Sequence, residues 1–248
     1  MSVAETLFVS DLHLDESRPQ ITSLFERFLA GEARNAAALY ILGDLFETWI
    51  GDDDDAALPA RVAKALRALA DSGVPIFFVA GNRDFLLGAE YAARAGLTLF
   101  ADATVHVIAS QPTLLMHGDT LCTGDDAYQA FRAQVRDDHW QRAFLAQPLD
   151  ARRAFAARAR VGSRQHTRAT PEVLMDVNTS AVAAALRAAG VHRLIHGHTH
   201  RPAIHRLALD GRPAERIVLG DWYTQGSRLR VGPGGRLALE NIAPTAAG

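Results

Sequence analysis

Only one cysteine, Cys122, occurs in the 248 residues, which excludes an intrachain disulfide and any zinc site built on several thiolates. Lysine is almost missing too: Lys64 stands alone, so nearly all of the 26 basic residues are arginines. Against 28 acidic residues they leave a net charge of −2, and general nucleic-acid binding through a globally basic surface is not expected. No stretch reaches the roughly 18 apolar residues of a spanning helix. The opening residues MSVAETLFVSDLH have neither a basic n-region nor a long apolar h-region. These absences lead to the expectation of a cytoplasmic protein that touches a membrane at most from the side. No internal repeat is visible. The 48% apolar and 22% charged residues suit a soluble chain with one large core, and the length allows one large domain or two small ones.

Short β-rich runs occupy residues 6–10, 39–42, 76–80 and 113–116, each followed by polar or glycine punctuation. Helical patterns fill 21–30 and 58–71, and Ser72, Gly73 and Pro75 stop the second. Strand and helix alternating in this way predict an α/β fold with a parallel sheet and right-handed crossovers. Further strands are expected at 193–195, 203–209 and 216–219, with a last short one after the Gly232–Gly235 turn. Their close spacing predicts hairpins and a second sheet. From Asp126 to about Thr170 no β-rich run occurs, and Phe131, Val135, Trp140, Phe144, Leu145 and Phe155 follow helical spacing. This stretch is expected to be a helical cap inserted into a single domain that spans residues 1–248.

In open α/β sheets ligands bind beyond the carboxyl ends of the strands. Five strand ends here deliver polar groups: Asp11 and His13; Asp44; Asn82, Arg83 and Asp84; His117 and Asp119; and His196, His198 and His200. One such residue is most often a turn former or a helix cap. Five sets in one chain make a metal centre the better reading. A donor set of imidazole, carboxylate and amide suits Mn²⁺, Fe²⁺ or Zn²⁺. Seven candidates (Asp11, His13, Asp44, Asn82, His117, His198 and His200) are too many for one ion. Two ions sharing a carboxylate would use them all and would clamp an in-line phosphoryl displacement. His196 is expected to support the neighbouring loop; His106, His139, His192 and His205 are expected at or near the surface. The Asp52–Asp55 run reads as a solvated loop or as charge at a helix N-terminus, and Cys122 as a small buried residue beside the site.

The blocks DLHL, GD, GN, HGD and GHTH, in this order, resemble those of the calcineurin-like metallophosphoesterases. The longer strings GDLFETWIGDD, GNRDFLLG, MHGDTLC, LMDVN and IHGHTHRP are similar to the UDP-2,3-diacylglucosamine hydrolases within that superfamily, over nearly the whole chain. Most of the superfamily has histidine where this chain has Arg83, whereas those hydrolases have arginine. The resemblance implies a sandwich of two mixed β-sheets flanked by helices, with a helical cap. It implies two Mn²⁺ ions, with Asp44 as the bridge. Asp11, His13 and His200 would hold one ion, and Asn82, His117 and His198 the other. Asp44, Asn82, Arg83 and His198 carry over as catalytic residues. Substrate contacts carry over onto Asn82, Arg83, Asp125, Ser163 and His198. Thr167 and Thr170 stand where the family often has Asn and Lys, and Thr170 brings no charge to a phosphate; Arg164 or Arg168 is available to replace it. Gly124 stands where an aspartate is usual.

The implied reaction is hydrolysis of the pyrophosphate of a lipid-linked uridine nucleotide. A water activated by two metal ions attacks the uridine-side phosphorus while Arg83 neutralises phosphate charge. Peripheral attachment to the inner membrane follows, with no obligatory protein partner. In the cap, Trp140, Phe144, Leu145, Leu149 and Phe155 are expected to line an acyl tunnel. Arg132, Arg136, Arg142, Arg152, Arg153, Arg158 and Arg160 are expected to meet anionic headgroups. The alternatives are a helical pair packed on the core with a solvated arginine face, a phosphoesterase for a soluble nucleotide, and a metal-dependent scaffold, which would be expected to lose ligands that this chain keeps.

Overall fold

A computed structural model describes residues 4–169 and 176–244, with side chains of the longest helix described as far as Gly162. The first half alternates β1 (Thr6–Val9), α1 (Pro19–Ala30), β2 (Ala38–Leu42), α2 (Ala57–Ala70), β3 (Ile76–Val79), α3 (Ala89–Ala95) and β4 (Leu97–Phe100). A hairpin of β5 (Thr104–Ile108) and β6 (Gln111–Leu115) follows. Then come four helices, α4 (Asp126–Val135), α5 (Asp138–Leu145), α6 (Leu149–Ala169) and α7 (Thr179–Ala189). The chain closes with β7 (Arg193–His196), β8 (Ala203–Leu209), β9 (Arg212–Val218), β10 (Gly226–Val231) and β11 (Leu237–Ile242).

The strands form two sheets, ordered β11-β10-β1-β2-β3-β4 and β5-β6-β7-β9-β8. β1 to β4 run parallel, and β10 joins antiparallel to β1. In the second sheet β7 lies parallel to both β6 and β9, and the two outer pairs are antiparallel. Three apolar layers hold the sheets and helices together. Phe8, Tyr40, Ile108, Ile195 and Ile217 fill the space between the sheets. Phe25, Val62, Leu66, Phe78 and Tyr91 pack α1, α2 and α3 on the outer face of the first sheet. Leu114, Val182, Leu186 and Leu194 pack α7 on the second. No described helix is long and apolar enough to cross a membrane.

Two mixed sheets flanked by helices are what the sequence led us to expect, with three departures. β4, β5 and β10 and the helices α3 and α7 were not anticipated. The stretch before α7 holds three helices, not the two of the alternative reading. The Asp52–Asp55 run meets the helix-N-terminus reading at Asp52 and departs from both readings at Asp53, Asp54 and Asp55, which form a clasp. Asp52 accepts hydrogen bonds from the Gly88 and Tyr91 backbone amides, both at 2.9 Å, and so caps α3, while Asp53 pairs with Arg152 of α6. Arg153, also on α6, reaches Asp54 and Asp55.

Candidate metal centre

The carboxyl ends of β1, β2, β3, β6 and β7 converge, and their loops lock onto one another through the backbone. Asp11 N–H donates to the Gly43 carbonyl at 3.1 Å, His13 N–H to that of Asp44 at 2.9 Å, and Gly197 N–H to that of His117 at 2.8 Å. Five of the seven expected ligands have left-handed backbone: φ is 54° at Asp11, 46° at His13, 54° at Asp44, 70° at His198 and 54° at His200. Such a conformation costs a non-glycine residue on the order of 1–3 kcal/mol and persists where the surroundings over-determine it. Crowding explains the glycines beside them. A Cβ on Gly81 would collide with the Asp44 carboxylate, and one on Gly197 with Ser10 Oγ and Asp11 Oδ2.

The side chains form two donor groups. In the first, His200 Nε2 lies 3.3 Å and His13 Nε2 3.9 Å from Asp11 Oδ1. In the second, Asp44 Oδ1 is 3.7 Å from His117 Nε2, and Asn82 Oδ1 lies 2.8 Å from His117 Nε2 and 2.9 Å from His198 Nδ1. Asp44 spans them, because its Oδ2 is 3.7 Å from His13 Nε2. Asp11 also belongs to both: it groups with His13 and His200 and again with Asp44 and His117. All seven residues thus come together.

The donors fit divalent cations. Asp11 is fully buried; its Oδ2 accepts from Ser10 Oγ and from the His198 amide, while Oδ1 has no hydrogen-bond partner. A buried carboxylate oxygen left this way needs a positive charge. Burial disfavours the Asp11 carboxylate, yet the charges of His200, His117 and His13 outweigh it and hold the carboxyl well below the usual range. Burial likewise disfavours a charged His117, but Asp44, Asp11 and Asp119 push its pKa up to about 9. A divalent ion would satisfy these carboxylates without that proton and free Nε2 as a ligand. His117 Nδ1 already donates to the Leu42 carbonyl at 2.9 Å, the tautomer a ligand needs. Burial, then the charge of His117, lowers His198 to about 4, so its ring is neutral and able to ligate.

Arg83 donates its backbone N–H to Asp44 Oδ1 at 2.8 Å, and its side chain reaches a cavity of about 370 Å³ that opens beside the donors. Asn82, Glu47 and Tyr128 line that cavity near the donors; Phe85, Trp140, Phe144 and Phe155 line it under the cap. Leu145 and Leu149, expected in the apolar wall, are not part of it; Leu145 is exposed. The arginines divide in the same way. Arg132, Arg136 and Arg160 face the cavity, whereas Arg152 is buried in the clasp, with bonds to Asp53 and to the Ile50 carbonyl at 2.6 Å. Asp125 caps α4 by accepting from the Tyr128 amide at 3.0 Å. Ser163 and Thr167 lie on α6 with their side chains outside the described atoms, as are those of Arg164 and Arg168, and Thr170 lies outside the described residues.

Three supporting residues were given no role from the sequence, although Asp84 was noted among the strand-end polar groups. Asp84 is fully buried and accepts from the amides of Leu45 at 2.6 Å, Gly81 at 2.8 Å and Asp44 at 3.3 Å, fixing two metal loops at once. Burial, with the charge of Asp44, raises its pKa to about 6. Its place in the Gly81–Asp84 run was the available signal. Tyr128 donates its hydroxyl to buried Asp119 at 2.8 Å, and Arg132 Nε donates to the same oxygen at 2.7 Å. Glu47, three residues past Asp44, approaches His13.

A profile of the family described as calcineurin-like phosphoesterase matches residues 5–202. The UDP-2,3-diacylglucosamine hydrolase of Xanthomonas campestris pv. campestris (strain ATCC 33913) is 56% identical over 245 residues, covering 96% of this chain and 99% of the relative. The protein of the same description from Stenotrophomonas maltophilia (strain K279a) is 57% identical, covering 96% and 98%. Among solved structures, Vacuolar Protein Sorting 29 from Cryptosporidium parvum aligns with a TM-score of 0.50 at 11% identity, covering 98% of this chain and all of that one, a likeness of fold alone.

Proposed function

The chain belongs to the calcineurin-like phosphoesterase family, and within that frame we propose that it hydrolyses the pyrophosphate of UDP-2,3-diacylglucosamine, releasing UMP and 2,3-diacylglucosamine 1-phosphate for lipid A synthesis. The observation that carries this reading is the junction of a polar donor cluster with an apolar cavity, lined by Asn82 and Arg83 at one end and by Trp140, Phe144 and Phe155 at the other. A lipid-linked nucleotide has that polarity along its length, with its charged pyrophosphate at one end and its acyl chains at the other.

Two Mn²⁺ ions bound by Asp11, His13 and His200 and by Asn82, His117 and His198, with Asp44 between, would supply Lewis-acid activation of water and neutralise phosphate charge. Arg83 presents a planar, permanently charged fork to the pyrophosphate, which steadies the charge gathering on phosphate oxygens as the bond breaks. Asn82 and His198, bonded to each other, hold the reacting end. Asp125 and Ser163, with Thr167 and Thr170 in place of the family's usual Asn and Lys, contact the substrate in this reading. Trp140, Phe144 and Phe155 exclude water from an acyl chain. The site and cap act as one domain over residues 1–248, with the cap at about 126–170. Exposed Phe131, Leu145 and Val161, together with Arg142 and Arg158 on the same cap helices, support peripheral attachment to the anionic cytoplasmic face of the inner membrane.

The test is Mn²⁺-dependent release of UMP from the lipid nucleotide, run beside diadenosine polyphosphates and simple phosphodiesters. Preference for the soluble substrates would overturn the lipid reading, and no turnover would leave a metal-binding scaffold. Water carrying heavy oxygen should deliver its label to UMP; label in the lipid product would reverse the nucleotide's orientation.

A further inference from the structure

The cavity rim holds a carboxylate whose position points past cap packing. Glu47 follows β2, is mostly buried at 13% exposure, and anchors its own amide to the Leu14 carbonyl at 3.1 Å. Its Oε2 lies 3.1 Å from His13 Nδ1, the nitrogen opposite the Nε2 that faces Asp11 and Asp44. Its Oε1 lies 3.3 Å from Arg160 of α6, which also approaches Asp15 at 3.5 Å.

We propose that Glu47 is a positioning residue that fixes His13 as a metal ligand and ties that one ligand to the cap through Arg160. The inference rests on the metal reading of the site. An imidazole that ligates through Nε2 carries its proton on Nδ1, and an acceptor there sets the tautomer, the ring rotation and the basicity of the ligand. The two donor groups differ in what stands at that nitrogen. His117 uses the Leu42 carbonyl, part of a buried strand that cannot leave. His13 Nδ1 makes no aligned hydrogen bond, and the carboxylate beside it, 3.1 Å away, is that of Glu47, a side chain shared with a cap arginine. Tyr223 stacks on the His13 ring with centroids 5.1 Å apart, which restrains its tilt but offers Nδ1 no acceptor. The ion held by His13 should therefore respond to Glu47 and Arg160, and the ion held by His117 should not.

The experiment titrates the full chain, stripped by a chelator, with Mn²⁺ alone and reads stoichiometry and affinity by calorimetry. The parent should bind two ions. Glu47→Ala should weaken one of them by about 10–100-fold and leave the other within about threefold. Glu47→Gln keeps an acceptor for Nδ1–H and should recover the affinity to within about fivefold, a rescue that a mere ion pair to the cap would not show. Arg160→Met, which empties no metal ligand, should weaken the same ion by a few-fold, and it carries the test if the alanine variant does not fold. Two ions bound as in the parent by Glu47→Ala and Arg160→Met, or a glutamine variant as damaged as the alanine one, would overturn the proposal. A parent that binds fewer than two ions would instead overturn the two-metal reading beneath it.

Discussion

Asp44 lies between the two histidine groups, with one oxygen 3.7 Å from His13 and the other 3.7 Å from His117. Asp44→Ala should therefore abolish turnover by at least about 10³-fold and release at least one ion, read by elemental analysis of the purified protein. Arg83 makes the opposite case. Its backbone N–H, not its guanidinium, holds Asp44, so Arg83→Ala keeps that bond. The expected result is a loss of about 10²–10³ in kcat with metal content unchanged; loss of Mn²⁺ would reassign the residue. The seven candidate ligands were legible because each follows a strand, where topology alone aims side chains at one edge. Asp84 was visible only as one more polar group at a strand end, with no sign of its role, and Glu47 was not visible at all. Asp84 works by accepting amides from residues 39 and 40 positions away, and Glu47 by reaching a helix more than a hundred residues on. Nothing in local spacing announces partners so distant.

The clasp between the Asp52–Asp55 loop and α6 fixes the cap at one end. Arg152 makes four contacts there, to the carbonyls of Ile50 and Gln147 and to both oxygens of Asp53. Arg152→Met should loosen α5 and α6 without touching a donor. The expected outcome is faster proteolytic cleavage between residues 138 and 160, and a fall in kcat/KM for the lipid nucleotide at least tenfold greater than for a small chromogenic phosphodiester. Equal losses on both substrates would make the cap a plain structural element. Elements with one dominant period were readable from sequence: α1 and α2 from their apolar stripe, β1 to β3 from compact apolar runs. β4 and β5 were missed because exposed Leu99, Val105 and Val107 blur the alternation. β10 was missed although Arg228 and Arg230 alternate with buried Leu229 and Val231, because only two apolar positions carry the pattern.

The metal centre also bears on the stability of the whole protein. Asp11, Asp44, His13 and His117 are buried around the place a cation would take, so bound ions favour the folded chain by mass action. At free Mn²⁺ about 1,000 times its Kd, one ion adds about 4 kcal/mol. At about 2–4 °C per kcal/mol for a protein of this size, chelation should lower Tm by roughly 8–16 °C, measured by calorimetry. An unchanged Tm would show that the site is not loaded under those conditions. The pairing of β1 with β10 has another consequence, for synthesis on the ribosome. β1 emerges first, yet its antiparallel neighbour follows about 200 residues later, roughly 10–40 s at 5–20 residues per second. Throughout that interval the nascent chain carries an open strand edge beside half-built apolar layers, the kind of surface chaperones hold and aggregates recruit. A chain stopped at Gln225, lacking β10 and β11, should therefore pellet after cell-free translation while the full chain stays in the supernatant, and added chaperone should keep the shortened chain suspended without making it bind metal.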